Sequence, residues 1–253
     1  MKAGLEGMVV LVTGAARGIG AAIAQAAASA GAEALMLIDR DPFTPTLPGP
    51  AKALTLTLDL GDPDAPDSAI RATLAHFGRI DGLVNAAGVT TRGGFEDADP
   101  ALWDRVFAVN ARAPFFLMAG AIADMRARSA PGAIVNIQSM NAHCGAPDLS
   151  VYSATKGALQ TLTKNAANAC LADRIRVNGI NLGWVDTQTE RHLHAVTPGM
   201  GPDWLDRQAR AQPLGRLVSA ADCARHAVWL LCPASAPMTG GNLDLEQKVT
   251  GAP

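Results

Sequence analysis

The chain has 253 residues, 49% of them apolar and 4% aromatic, a length and composition that suit one α/β domain spanning residues 1–253 with a large core. A net charge of -2 and the absence of any basic run argue against a nucleic-acid or anionic-membrane partner, because both demand a basic face. Cys144, Cys170, Cys223 and Cys232 show neither CxxC spacing nor a histidine at ligand spacing, so buried thiols are expected rather than disulfides or zinc.

From the N-terminus, residues 1–7 lead into a short apolar stretch, Met8 to Val12, too brief for a signal-peptide core or a membrane span. A cytoplasmic protein is the resulting expectation. That stretch is instead a first strand, ending in Thr13-Gly14-Ala15-Ala16-Arg17-Gly18-Ile19-Gly20 before a helix predicted over Ile19 to Ala30. Glycines between a strand and a helix let the backbone approach a pyrophosphate, and the helix N-terminus offers it unpaired N–H groups. A second strand, Ala34 to Ile38, is followed by Asp39, near the interval at which a carboxylate accepts from the adenosine ribose hydroxyls. A 2′-phosphate there meets like-charge repulsion of up to about 4 kcal/mol, which favours NAD over NADP. Arg17 and Arg40 are the counter-evidence, since either guanidinium can hold a phosphate.

Four prolines within Asp41 to Pro50 predict a loop where the alternating rhythm calls for a helix. Strands are then expected over Leu54–Leu58, Gly82–Val84, Ala133–Ile137 and Ile175–Ile180, with helices over Asp67–Phe77, Phe115–Arg128, Tyr152–Leu171 and Ala220–Leu231. Most of the strands are apolar on both faces, as in a parallel sheet covered on each side. The order predicts a doubly wound α/β fold of about seven strands. Thr187 to Gln212 mixes Gly, Pro, His and Trp without periodicity and reads as a lid.

Tyr152 is the single tyrosine, and Lys156 follows it by one helical turn. On one helix face the ammonium can stabilise a phenolate, and a phenol that acts as a base near neutrality needs its pKa lowered from about 10. Ser139 lies thirteen residues earlier.

Together these motifs resemble the single-domain branch of the short-chain dehydrogenase/reductase family, and the likeness covers nearly the whole chain. Thr13 to Gly20 resembles its cofactor glycine motif, Asp59-Leu60 its adenine-contacting pair, and Asn85-Ala86-Ala87-Gly88 its Asn-Asn-Ala-Gly turn with the second Asn replaced. Asn110 matches its helix asparagine, Ser139 its serine, and Tyr152 with Lys156 its Tyr-x-x-x-Lys. The resemblance implies an NAD-dependent enzyme in which Tyr152 exchanges a proton with an alcohol or ketone. Lys156 would stabilise the tyrosinate and hold the nicotinamide ribose, Ser139 would bond the reacting oxygen, and Asn110 would hold a water that links Lys156 to solvent. Gly183, Val185 and Thr187 fall where the family contacts the nicotinamide end, although Leu182 replaces a proline. Residues 239–247 lack the usual Asp-Gly-Gly ending. A homo-oligomer, tetramer or dimer, is implied by the family and not by the residues.

Asn141, His143, Trp184, Gln188 and Glu190 are expected near the reacting carbon, with His192 and His194 further into the lid. Hydrogen-bonding groups around one aromatic suit a sugar or polyol. Glu190, His192 and His194 are read as a polar lid and not as a metal site. Two other readings stay open: an NADPH-dependent ketoreductase of the 3-oxoacyl or hydroxysteroid type, and a non-catalytic NAD(H) sensor.

Overall fold

The computed structural model describes residues 4–143, 146–188, 190–191, 201 and 203–249. Cys144, His192, His194 and much of the expected lid lie outside the described residues.

Seven strands form one sheet in the order β3-β2-β1-β4-β5-β6-β9, with every neighbouring pair parallel. They are β1 Val9–Thr13, β2 Ala34–Asp39, β3 Lys52–Thr57, β4 Gly82–Asn85, β5 Gly132–Ser139, β6 Ile175–Leu182 and β9 Asn242–Leu245. Two further short strands, β7 Val185–Asp186 and β8 Val218–Ser219, pair beside this sheet. β1 and β4 are buried from end to end, and β2 up to Asp39, because both faces are covered, so they read as largely apolar runs.

Helices α1 Gly18–Ser29 and α7 Ala220–Leu231 cover one face, where Ala24, Ala27, Cys223, Ala224 and Ala227 pack on Val10, Val12 and Val135. Small side chains there let helix and sheet approach closely. Helices α2 Ala65–Phe77, α4 Ala113–Ala127 and α5 Ser150–Ala169 cover the other, where Ala69, Leu117, Met118 and Ala167 meet Leu11, Leu83 and Ile134. Between Trp184 and α7 the chain forms α6 Trp204–Arg210. Cys170, Cys223 and Cys232 are buried free thiols, as expected.

The periodicity missed α3 Pro100–Phe107, whose start is set by Asp99 accepting from the Leu102 N–H and by Pro100 at the first helical position. Through a wider turn, Ala108–Arg112, it runs straight into α4. The run Pro100–Ala127 has the length and mean hydropathy (1.5) of a membrane span, but Leu117, Ala121 and Met125 lie buried against the sheet. The proline-rich segment after β2 is irregular, as predicted, and Phe43 and Leu47 pin it to the α1/α7 side of the core.

The chain leaves β1 towards β2 and β3 on one side, and β4 then adds to β1 on the other. This reversal opens a crevice at the carboxyl ends of β1 and β4.

Helix α7 is anchored by a capping box in which Ser219 and Asp222 bond each other's backbone N–H groups. Asp222 is also paired with Arg216 and Arg225, and these partners, led by Arg216, hold its carboxyl well below the usual carboxylate range. A carboxyl depressed in the folded state stabilises the fold above its unfolded pKa and ceases to do so as pH falls through its folded one. Asp222→Asn is therefore expected to cost roughly 2 kcal/mol at neutral pH, with the deficit shrinking progressively as the pH falls below about 4. Urea unfolding at a series of pH values checks this; a deficit constant with pH would contradict it.

Candidate active site

A cavity of about 710 Å³ occupies the crevice and runs from the glycine turn to the end of β6. Gly14, Arg17, Gly18, Ile19, Gly20, Asp39, Asp59, Leu60, Ala86 and Gly88 line one end. Ser139, Asn141, Tyr152, Lys156, Gly183, Trp184, Val185, Thr187 and Glu190 line the other.

At the glycine end the backbone is shaped for close approach. Gly14 has φ +67°, and a Cβ there would sit 2.8 Å from the Cα of Ala87; a Cβ on Gly20 would collide with the Gly14 carbonyl. The Thr13 hydroxyl accepts from the N–H groups of Ala86 and Ala87, both at 3.1 Å, and so locks the β4 turn against the glycine turn. Asn85 does not face the cavity; its amide donates to Asn136 Oδ1 at 2.8 Å inside the sheet. Asp39 accepts from the Ala16 N–H at 3.0 Å and the Asp41 N–H at 3.2 Å. Arg17 is engaged by Asp41, and Arg40 lies 3.8 Å from the same carboxylate. Asp59 is held by Arg105 at 2.9 Å and by the Gly61 N–H at 2.8 Å, and Arg105 is the first cause of its lowered pKa.

At the other end, helix α5 is fixed to the sheet by buried polar contacts. Lys156 Nζ donates to the Ile137 carbonyl at 2.9 Å, and the Thr163 hydroxyl accepts from Asn136 at 2.8 Å and Gln138 at 2.9 Å. Asn110 sits in the wider turn between α3 and α4, a geometry that helices favour at functional sites. It clamps Val89 through two bonds of 2.9 Å and donates to Thr155 at 3.1 Å. Its amide thus ties the segment after β4 to α5. A Cβ on Gly88 would lie 3.5 Å from Asn110 Oδ1 and 3.7 Å from Lys156 Nζ, so these groups meet around a glycine. The Ser139 hydroxyl oxygen accepts from the Asn141 N–H at 3.2 Å, which leaves its proton free to point elsewhere.

The electrostatics depart from expectation. Burial pushes the Tyr152 phenol up to about 12; the Ser139 hydroxyl pulls it down, and the Glu190 carboxylate adds to the rise. Burial likewise lowers Lys156 to about 8. The ammonium lies 5.6 Å from the Tyr152 ring centre and is aimed at a backbone carbonyl, so the lowered phenol that the four-residue spacing suggests is absent from the free protein.

Of the residues expected around the substrate, Asn141, Trp184 and Glu190 line the cavity. Trp184 donates its indole N–H to Glu190 at 3.0 Å and stacks on Trp204 at 5.7 Å. His143 and Gln188 do not line it. His143 turns to the last strand, 3.1 Å from Asp244 and 3.2 Å from Asn181, because a carboxylate there offers its ring a partner; Gln188 is exposed. Residue spacing did not reveal the Arg92–Asp148 pair or Glu246 as parts of this site, since each arrives from a distant segment.

The family model described as enoyl-(acyl carrier protein) reductase matches residues 14–247. The 2-(S)-hydroxypropyl-CoM dehydrogenase 3 of Xanthobacter autotrophicus is 32% identical over 97% of this chain and 98% of its own. Galactitol 2-dehydrogenase of Agrobacterium fabrum is 33% identical over 89% of this chain and 91% of its own. The crystal structure of L-sorbose reductase from Gluconobacter frateurii, complexed with NADPH and L-sorbose, superposes with a TM-score of 0.90 at 27% identity and covers 100% of both chains. With its parallel sheet, glycine turn and Ser139/Tyr152/Lys156 set all in place, the chain belongs to the short-chain dehydrogenase/reductase family of nicotinamide-dependent oxidoreductases.

Proposed function

We propose that this enzyme is a sugar or polyol dehydrogenase that prefers NAD and moves hydride between a secondary alcohol, or a sugar hemiacetal, and the nicotinamide. The observation that carries the reading is a single cavity whose lining joins Asp39 and the glycine turn to Ser139, Tyr152 and Lys156. Its size and its glycine cradle suit a dinucleotide with a small substrate beside it. When bound, the nicotinamide accepts or returns the hydride.

The chain's own groups do the rest. Gly14, Gly18, Ile19 and Gly20 receive the pyrophosphate, Asp39 the adenosine ribose, Asp59 and Leu60 the adenine, and Gly183, Val185 and Thr187 the carboxamide. Asn85 acts from below, by holding the strand that carries Ala86 and Gly88. Tyr152 takes the alcohol proton in oxidation and returns it in reduction, while Ser139 donates to the same oxygen and stabilises its developing charge. Lys156 holds the nicotinamide ribose and stabilises the tyrosinate. Asn110 is a positioning residue, fixing Val89, which follows the Gly88 that faces Lys156, and Thr155, which donates to the Tyr152 carbonyl.

Galactitol and L-sorbose in the relatives' names support a polyhydroxylated substrate, as do Asn141, Trp184 and Glu190 on the cavity wall. Trp204 stacked on Trp184 supports residues 187–212 as a substrate lid. The 3-oxoacyl-type ketoreductase is the second reading, favoured by the name of the matching family model. Half-exposed Trp103, Phe115 and Phe116 on α3 and α4 support a homo-oligomer, and the reading places the enzyme in the cytoplasm. For the cofactor, the Asp39 carboxylate at the ribose position and the capture of Arg17 by Asp41 support NAD, against the NADPH in the L-sorbose reductase.

Because Tyr152 is the single tyrosine, its ionisation is read directly from tyrosinate absorbance. The free protein should show its transition near about 12, and saturating NAD should move it to lower pH, a shift diminished in Lys156→Met. Tyr152→Phe should abolish turnover of a sugar and polyol panel while NADH binding, followed by fluorescence, is retained. A transition indifferent to NAD, or joint loss of binding and turnover, speaks against the assigned role. Asp39→Ala should raise NADPH affinity relative to NADH by about tenfold or more, as removal of a like charge at contact requires. Fluorescence titration with both nucleotides decides, and a wild type that binds NADPH more tightly sinks the preference.

A further inference from the structure

Glu246 follows the last strand of the sheet, where β9 runs parallel to β6 and pairs Leu182 with Leu245, itself one strand further from the Ser139↔Leu182 pair. Ser139, Leu182 and Leu245 thus form one row across three strands, and Glu246 begins the next. At two strand spacings, its backbone is about 10 Å from that of Ser139. Its side chain bends back into the cavity and lies flat on Gly183: a Cβ on that glycine would be 2.5 Å from Glu246 Cδ. Gly183 is bare where the carboxylate needs room.

The cations of the cavity are engaged elsewhere. Among the described residues that line the cavity, Arg92 is paired with Asp148, Arg105 with Asp59, and Arg17 and Arg40 with Asp41, while Lys156 donates to a backbone carbonyl. Among the described residues, no cation pairs with Glu246, whose side chain receives only the N–H of Gln247. The neighbouring Trp184 holds a second carboxylate, that of Glu190. Acceptors therefore crowd the end of the cavity where the substrate body lies.

We propose that Glu246 is a specificity-determining residue that selects uncharged polyhydroxy substrates over their carboxylate counterparts, by accepting a hydrogen bond from a hydroxyl remote from the reacting carbon. An anionic substrate meets like charge at the same place. The proposal deepens the polyol reading and rests on it for the substrate body, but not for the sign of the charge.

The test compares kcat/KM for two matched pairs, galactitol with galactonate, and trans-4-(hydroxymethyl)cyclohexanol with trans-4-hydroxycyclohexanecarboxylate, in the wild type and in Glu246→Gln. The wild type should prefer the neutral member by about tenfold or more, and Glu246→Gln should erase at least about tenfold of that preference, with NADH affinity unchanged. A preference that the substitution leaves within about twofold, or a wild type that prefers the anion, overturns the assignment. Turnover of the cyclic pair alone, with its preference erased by Glu246→Gln, supports the charge selection and refutes the polyol reading. Inactivity on all four compounds refutes both.

Discussion

The site depends on the way one helix is held to one strand. Helix α5 carries Tyr152 and Lys156, and its position on β5 is fixed by hydrogen bonds and not by apolar packing alone: Lys156 to the Ile137 carbonyl, and Asn136 and Gln138 to Thr163. Buried polar groups that satisfy one another specify a single register, because any slide of the helix leaves donors without acceptors in a medium that cannot replace them. Apolar contacts between small residues would tolerate such a slide. The register places the phenol beside Ser139 at the end of the same strand, and the rest of the site is arranged around that pair.

The same burial explains why the free enzyme is not yet a base. A phenol raised to about 12 and an ammonium lowered to about 8 are both pushed towards their neutral forms by the loss of water. In the proposed mechanism the missing favourable charge and hydroxyl contacts come with the dinucleotide, so that the proton relay is assembled only when there is a hydride acceptor or donor to use it. In that mechanism catalytic power and cofactor occupancy are linked through electrostatics.

Much of the fold was legible because each signal was local. Continuous apolar runs such as Ala34 to Ile38 mark strands covered on both faces, glycines between a strand and a helix mark the turn that begins α1, and four prolines mark the absence of a helix after β2. Helix α3 escaped because it is one short segment with few buried residues, its start set by a cap and not by a stripe. His143 was misplaced for a related reason. It was expected near the reacting carbon, but its ring found Asp244, a partner a hundred and one residues away.

By itself the sequence determined the alternation of strand and helix, the glycine turn, and a tyrosine and lysine one turn apart, since these follow from backbone conformation and from periods of two and 3.6 residues. Only the tertiary structure decided which charges are spent and which remain. Arg17, Arg92 and Arg105 are each answered by an acid from another segment, whereas Glu246 reaches from the end of β9 to a bare glycine at the end of the neighbouring β6. Electrostatic interaction depends on distance through space, and chain order does not carry that distance until the sheet has assembled.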